Sequence, residues 1–306
     1  MSSAFLFSGQ GSQYVGMAAD LYASRESARQ LFERAHGILG FSLYEICSQG
    51  PAETLKETRY TQPALFVHEA ILIDSIKALQ PVQAVAGHSL GEYSAMYAAG
   101  VLSFEDALRL VALRGSLMFE AGQAQPGTMA AVVGLADDVV ENICSTIHGA
   151  VVVAANYNAP GQVVISGDAD AVRSSLEQFK AAGARMVTEL PVSGAFHSPL
   201  MKPAQETLAN AIHEAEFLDA HTDVVCNVDA AVHRSAAELR EALIAQLVSP
   251  VRWTQSLETM FAMGVREYIE VGPGKVLQGL VKRTLKDVNM RGVDTEADVQ
   301  ALEQKG

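Results

Sequence analysis

Residues 84–100 read AVAGHSLGEYSAMYAAG. Ala84 to Gly87 are small and uncharged and form a short apolar run, which suits a buried strand. From Leu90 onward the residues are helix-compatible and stop at Gly100, the residue type that closes helices. Between strand and helix stands Gly87-His88-Ser89-Leu90-Gly91, a G-x-S-x-G in the strand–turn–helix context that motif requires. A tight turn there lifts the serine hydroxyl above a sheet edge, and glycines on either side avoid clashes. The helix N-terminus then aims backbone N–H groups at charge developing near that oxygen. The competing reading of Ser89 is a plain N-cap serine; the context favours a nucleophile.

Upstream, residues 3–7 read as a second buried strand, and it stops at the glycine turn Ser8-Gly9-Gln10-Gly11-Ser12-Gln13. A dinucleotide loop needs G-x-G-x-x-G, but Tyr14 stands at the third glycine position. A P-loop needs a lysine after Gly16, and none is there. What remains is a turn rich in free N–H donors rather than a phosphate cradle. Helical spacing covers 26–36 and 63–79, the second opened by Thr61-Gln62-Pro63 with proline in the first turn. Ser103 caps a further helix over 104–122, with Glu105 and Asp106 in its first turn.

At 123–127 the pattern changes. Strand 128–135, helix 136–147, strands 150–157 and 162–167, helix 168–183 and strand 184–192 follow, the β-α-β-β-α-β order of a ferredoxin-like unit. Asn158-Ala159-Pro160-Gly161 is expected to make the turn between its middle strands. Beyond it come a helix at 199–216, a strand at 224–228, helices at 235–247 and 254–263, a strand at 266–272 and a helix at 275–286. Alternating helix and strand implies an α/β class with a mainly parallel sheet covered on both faces. The expected division is a large unit of residues 1–126 and 196–306 and a small inserted unit of 127–195. The polar tail from Asp287 is expected to lie outside the core.

Composition removes several function classes. The chain has 306 residues, 49% hydrophobic and 19% charged, enough for a large core. Its net charge of −13 leaves no broad basic face for nucleic acid. Cys47, Cys144 and Cys226 are odd in number and widely spaced, so neither a disulfide framework nor a zinc site is expected. The apolar segments are too short to span a bilayer, and no basic stretch precedes the first. A cytoplasmic protein with buried thiols, no metal and no bound organic cofactor is the expectation.

A nucleophilic serine needs a base. Of the eight histidines, most lie in helical or polar stretches and read as surface residues, and His88 points away from Ser89 on an alternating strand. His197, in PVSGAFHSPLM, lies where the chain returns from the small unit to the main sheet. Position alone favours it only modestly.

The motifs GQGSQ, GHSLGE, an arginine in ALRG, FHSPLM and EVGPGKVL occur in that order along nearly the whole chain. Together they resemble the malonyl-CoA:acyl carrier protein transacylase family, to which the acyltransferase domains of polyketide synthases are similar. The resemblance implies an α/β-hydrolase-like core with a ferredoxin-like insertion. It implies a ping-pong transfer in which Ser89 becomes malonylated and His197 is base, then acid. The histidine is oriented in the family by a backbone carbonyl, here that of Gln246. Backbone N–H groups of Gln10 and Leu90 would form the oxyanion hole, Arg114 would hold the malonyl carboxylate, and Phe196 would leave little room for an α-methyl group.

The resemblance also matches Asn158 to a pocket-lining residue, with a simple turn asparagine as the equal alternative. The implied partners are malonyl-CoA and an acidic acyl carrier protein. Lys275, Lys282, Arg283 and Lys286 offer a basic helix face to receive that carrier, or an ordinary solvated one. The protein is expected to be a monomer. Rival expectations are a discrete acyltransferase serving a polyketide synthase, an esterase or thioesterase on the same fold, and a non-catalytic scaffold.

Overall fold

The structure, a computed structural model, describes residues 2–192 and 194–304. Strand β1 (Ser2–Phe7) is followed by helices α1 (Ala19–Ser24), α2 (Glu26–Leu39), α3 (Leu43–Gln49), α4 (Ala52–Lys56) and α5 (Thr58–Ile76). Strand β2 (Ala84–Gly87), helix α6 (Gly91–Ala98) and helix α7 (Phe104–Ala124) come next. A second group comprises β3 (Gly127–Val133), α8 (Asp137–Ser145), β4 (Val152–Ala159), β5 (Gln162–Asp168), α9 (Ala169–Ala181) and β6 (Met186–Glu189). A 3₁₀ turn over Pro199–Met201 leads into α10 (Lys202–Glu214), β7 (Asp223–Val225), β8 (Val232–His233), α11 (Ala236–Gln246) and α12 (Trp253–Ala262). The chain closes with β9 (Val265–Val271), α13 (Val276–Thr284), β10 (Asn289–Val293) and α14 (Glu296–Glu303).

The large sheet has the order β10-β9-β1-β2-β7-β8 and is parallel except for the terminal β7–β8 pair. Its central strands β1 and β2 are apolar on both faces, as a sheet covered twice requires. The period of two then separates the faces. Phe5, Phe7, Val85, Val224, Ile269 and Val271 enter one core with α2, α5, α7 and α10. Ala4, Leu6, Ala84, Ala86, Val225 and Tyr268 enter the other, with Trp253, Leu257, Leu277 and Val281 of α12 and α13. The alanines on that second face leave room for the fully buried Trp253.

The second sheet is antiparallel, in the order β4-β5-β3-β6. One face packs on α8 and α9 through Val132, Val163, Ile165, Val140, Val172 and Phe179. The other carries Met129, Ala155 and Val164 into the main core. Val251 stitches the two sheets together: it accepts the Tyr157 N–H at 2.9 Å and donates to Ala155 O at 2.8 Å.

Several expectations need correction. The tail from Asp287 is not outside the core. β10 pairs with β9, Val293 and Val299 are 1% and 0% exposed, and α14 closes with a Thr295–Asp298 capping box. Val293 and Val299 are scattered apolar residues in a largely polar segment, a weak signal, and only the pairing of β10 with β9 and the packing of α14 reveal their inward face. The helix expected from Pro63 begins five residues earlier, at Thr58, so Pro63 lies inside it. The turn expected over 158–161 shrinks to Pro160-Gly161 because β4 runs on to Ala159. His68, expected at the surface, is fully buried and sits 2.9 Å from Asp294 Oδ1. Among the described residues, no helix is long and apolar enough to cross a membrane.

Candidate active site

β1, β2 and β9 end side by side, and three turns meet there: the loop after Phe7, the elbow at Ser89 and the turn at Gly272. Carboxyl ends of parallel strands are where such sheets bind ligands. At the elbow Ser89 has φ +53°, a left-handed conformation costing a non-glycine residue about 1–3 kcal/mol. Glycines permit the tight geometry around it. A Cβ on Gly87 would lie 1.8 Å from the carbonyl carbon of Gly91, and one on Gly91 would lie 2.2 Å from Phe7 O. Asn227, just beyond β7, holds the turn from below. Its Oδ1 accepts the Ser89 N–H at 2.8 Å, and its Nδ2 donates to Gly87 O at 2.7 Å.

His197 Nε2 lies 2.7 Å from Ser89 Oγ. Its Nδ1 faces two carbonyl oxygens, Gln246 O at 3.0 Å and Ser249 O at 3.2 Å. Two acceptors on one side place the ring proton on Nδ1, which leaves the Nε2 lone pair toward the serine hydroxyl. Burial, with the nearby Arg114 charge second, pushes the imidazole down to about 3. The ring is therefore a neutral base throughout the physiological range.

Arg114 reaches the same spot from α7. It is 1% exposed. Nη2 donates to Ser89 Oγ and to Gln246 Oε1, each at 2.9 Å, and Nη1 donates to Gln62 Oε1 at 2.8 Å. Its buried Nε has no partner, and no carboxylate among the described residues forms an ion pair with it. A buried guanidinium surrounded by neutral acceptors is a site for an anion, because burial without a counter-charge is costly.

These groups open into a cleft of about 310 Å³, lined by Gln10, His88, Ser89, Leu90, Arg114, Asn158, Phe196 and His197 among others. The sequence expectation thus brings all its site residues to one place except Gln246, which stands behind the cleft as a hydrogen-bond partner of His197 and Arg114. Neither the Gln10 nor the Leu90 N–H has a partner among the described residues. Asn158 Oδ1 lies 2.8 Å from His88 Nε2, at the end of a strand rather than in a turn. The exposed side chains of Lys275, Lys282, Arg283 and Lys286 lie on or beside α13, whose Val276, Leu277 and Leu280 form one wall of the cleft.

Three contributors escaped the sequence reading. Gln62 holds Arg114, and its only signal was a polar residue amid an apolar helix. Asn227 props the elbow, and Ser249 adds a second carbonyl to His197; neither has a local pattern. Among the described residues, no group of three or more His, Cys, Asp or Glu side chains could hold a metal ion.

Fold and site define a class: an α/β enzyme with a serine–histidine pair and a buried cation facing one cleft, suited to acyl chemistry on an anionic substrate. The chain belongs to the acyl transferase domain family, whose model matches residues 4–302. It is 43% identical to the malonyl CoA-acyl carrier protein transacylase of Haemophilus influenzae over 98% of both chains. It is 46% identical to the protein of the same name from Escherichia coli K12 over 92% of both. An acyl carrier protein S-malonyltransferase from Vibrio cholerae superposes with a TM-score of 0.95 at 43% identity, covering 99% of this chain and 100% of that one. A malonyl-transacylase solved with the acyl-carrier protein of a type II polyketide synthase also reaches 0.95, at 39% identity and full coverage of both.

Proposed function

We propose that this protein transfers a malonyl group from malonyl-CoA to the phosphopantetheine thiol of an acyl carrier protein, in two half-reactions. The observation that carries the reading is Arg114, a buried guanidinium without a carboxylate partner that reaches Ser89 Oγ at 2.9 Å. A malonyl group supplies the missing anion and places its thioester next to the nucleophile.

In the first half-reaction His197 Nε2 takes the proton of Ser89 Oγ as that oxygen bonds to the thioester carbon. The tetrahedral oxyanion is met by the N–H groups of Gln10 and Leu90. Collapse breaks the C–S bond, and CoA leaves as the thiol with the proton from His197. In the second, His197 removes the proton of the carrier's thiol, the thiolate attacks the malonyl ester, and Ser89 recovers its proton. The Gln246 carbonyl keeps the imidazole in the required tautomer. Phe196, 5% exposed on the cleft wall, disfavours an α-methyl group, and Asn158 steadies His88 at the rim.

Residues 127–195 are read as a ferredoxin-like subdomain roofing the cleft, and 1–126 with 196–306 as an α/β-hydrolase-like catalytic subdomain. The order β4-β5-β3-β6 with two helices on one face supports the first. The basic residues on and flanking α13, Lys275, Lys282, Arg283 and Lys286, are read as the carrier's docking face, since that helix walls the cleft. The chain acts as a monomer, since cleft and nucleophile both come from one copy. A polyketide carrier is the second reading, favoured by the 0.95 superposition on a polyketide-type enzyme.

The test is an intact mass after mixing with malonyl-CoA alone, repeated for Ser89→Ala and Arg114→Ala. A malonyl adduct in the wild type, absent in Ser89→Ala and replaced by an acetyl adduct from acetyl-CoA in Arg114→Ala, supports nucleophile and carboxylate clamp together. Release of CoA without an adduct indicates a hydrolase and overturns the proposal.

A further inference from the structure

Two N–H groups can converge on one oxyanion only if the backbones that carry them keep a fixed separation. Here they come from separate elements: Gln10 from the loop after β1, Leu90 from the turn into α6. A single carboxyl side chain spans the two. Glu69, midway along α5, is 0% exposed. Its Oε1 accepts the Ser8 hydroxyl at 2.8 Å, two residues before Gln10. Its Oε2 accepts the Ser94 hydroxyl at 2.5 Å, one turn into the helix beyond Leu90. Both serines are 0% exposed. Ser12 extends the chain: its Oγ lies 3.0 Å from Ser8 Oγ and 2.9 Å from Gly9 O, bracketing the turn that holds Gln10.

The EVGPG motif closes over this cluster. Gly272 has φ +130°, and a Cβ there would lie 2.7 Å from Glu69 Oε1 and 3.0 Å from Ser8 Oγ. Among the described residues no cation pairs with the carboxyl, and burial pushes it up to about 8. Its neighbours on the helix, Leu65, Phe66, Ala70 and Ile73, are all buried apolar residues. An apolar side chain at position 69 would avoid the cost of burying a carboxyl; only a polar one can bind both serines.

We infer that Glu69 is a positioning residue for the oxyanion hole, holding the Gln10 and Leu90 backbones in register through Ser8 and Ser94. The inference rests on the acyl-transfer reading above.

The test uses the full chain with Ser8→Ala, Ser94→Ala and their double, alongside Glu69→Gln, which keeps one acceptor. Acylation of Ser89 is timed by quenched flow, and malonyl-CoA binding is measured by calorimetry in each variant carrying Ser89→Ala. Losing a whole oxyanion donor typically costs about 10²–10³ in rate, so misplacing one is expected to cost about 10-fold. Expected are such losses in both serine variants with the malonyl-CoA Kd within about twofold of its parent, the separation that transition-state-only interactions produce. Glu69→Gln, which like the protonated carboxyl offers one carbonyl acceptor and one donor, should stay close to wild type at neutral pH. Acylation at the wild-type rate in both single variants overturns the inference and leaves the functional reading intact, and so does a Kd that weakens as much as the rate. A wild type that forms no malonyl adduct overturns both.

Discussion

At the scale of the residue, the chemistry depends on how the His197 imidazole is kept neutral. His197 is oriented by carbonyl oxygens and not by a carboxylate. No negative charge therefore supports its protonated form, and burial and Arg114 both oppose it. An ordinary histidine, near 6.5, loses half its base form at that pH. This one should keep kcat/KM for acylation flat from pH 8 down to about pH 5. In Arg114→Ala the second cause is removed and burial remains, so the acid limb should move upward yet stay below 6.5. A wild-type limb centred at 6.5 in the pH–rate profile contradicts this account.

His88 shows why type and proximity in sequence are not enough. It abuts Ser89, yet its ring bonds to Asn158 and tilts against Trp253. The imidazole that meets the Ser89 hydroxyl, His197, arrives from 108 residues away along the chain, and only distance in space distinguishes the two.

At the scale of the element, α13 joins the cleft to the surface. Val276, Leu277 and Leu280 face the cleft, while Lys282 and Arg283 occupy its last turn, where cations also suit the helix dipole. A protein of net charge −13 meets an acidic carrier only through a local patch of this kind. Reversing the charge of Lys282 and Lys286 together should raise KM for the carrier about tenfold, in proportion to lost steering, and leave acylation by malonyl-CoA unchanged. An unaltered carrier KM removes this face from the docking reading.

The elements that could be read in advance were those with strong local signals. The helix capped by Ser103 was expected over 104–122 and runs over Phe104–Ala124, with Ser103 accepting the Asp106 N–H at 3.0 Å. Short helices such as α3 and α4 carry too few turns for periodicity to register, and they were not foreseen.

At the scale of the molecule, the site lies between two sheets, and buried carboxyls surround it. Burial pushes both Glu69 and Glu92 up to about 8, against 4.5 for the free groups. The sign follows from proton binding. Between about pH 4.5 and 8 the native state holds protons that the unfolded chain has released, so stability is greatest at the acid end and falls as pH rises. The urea midpoint should decline from pH 5.5 to 8.5, and Glu69→Gln, which cannot ionise, should flatten that slope. An equal slope in the variant places the carboxyl's protonation outside the folding linkage.

What the sequence determined by itself is what short-range physics encodes. Short apolar-rich runs marked the strands, a capping serine and glycine stops marked the helices, and G-x-S-x-G singled out Ser89 as the candidate nucleophile. The β-α-β-β-α-β order separated the second sheet from the first. Motif order supplied the remaining site residues only through resemblance to a family. Tertiary structure alone decided which carbonyls face His197, that Gln62 and Gln246 hold Arg114, that Asn227 supports Ser89, and that the polar tail completes the main sheet. Each of those contacts joins residues far apart in the chain. Hydrogen bonds of this kind depend on separation in space to within a few tenths of an ångström, and no local pattern of residues carries that information.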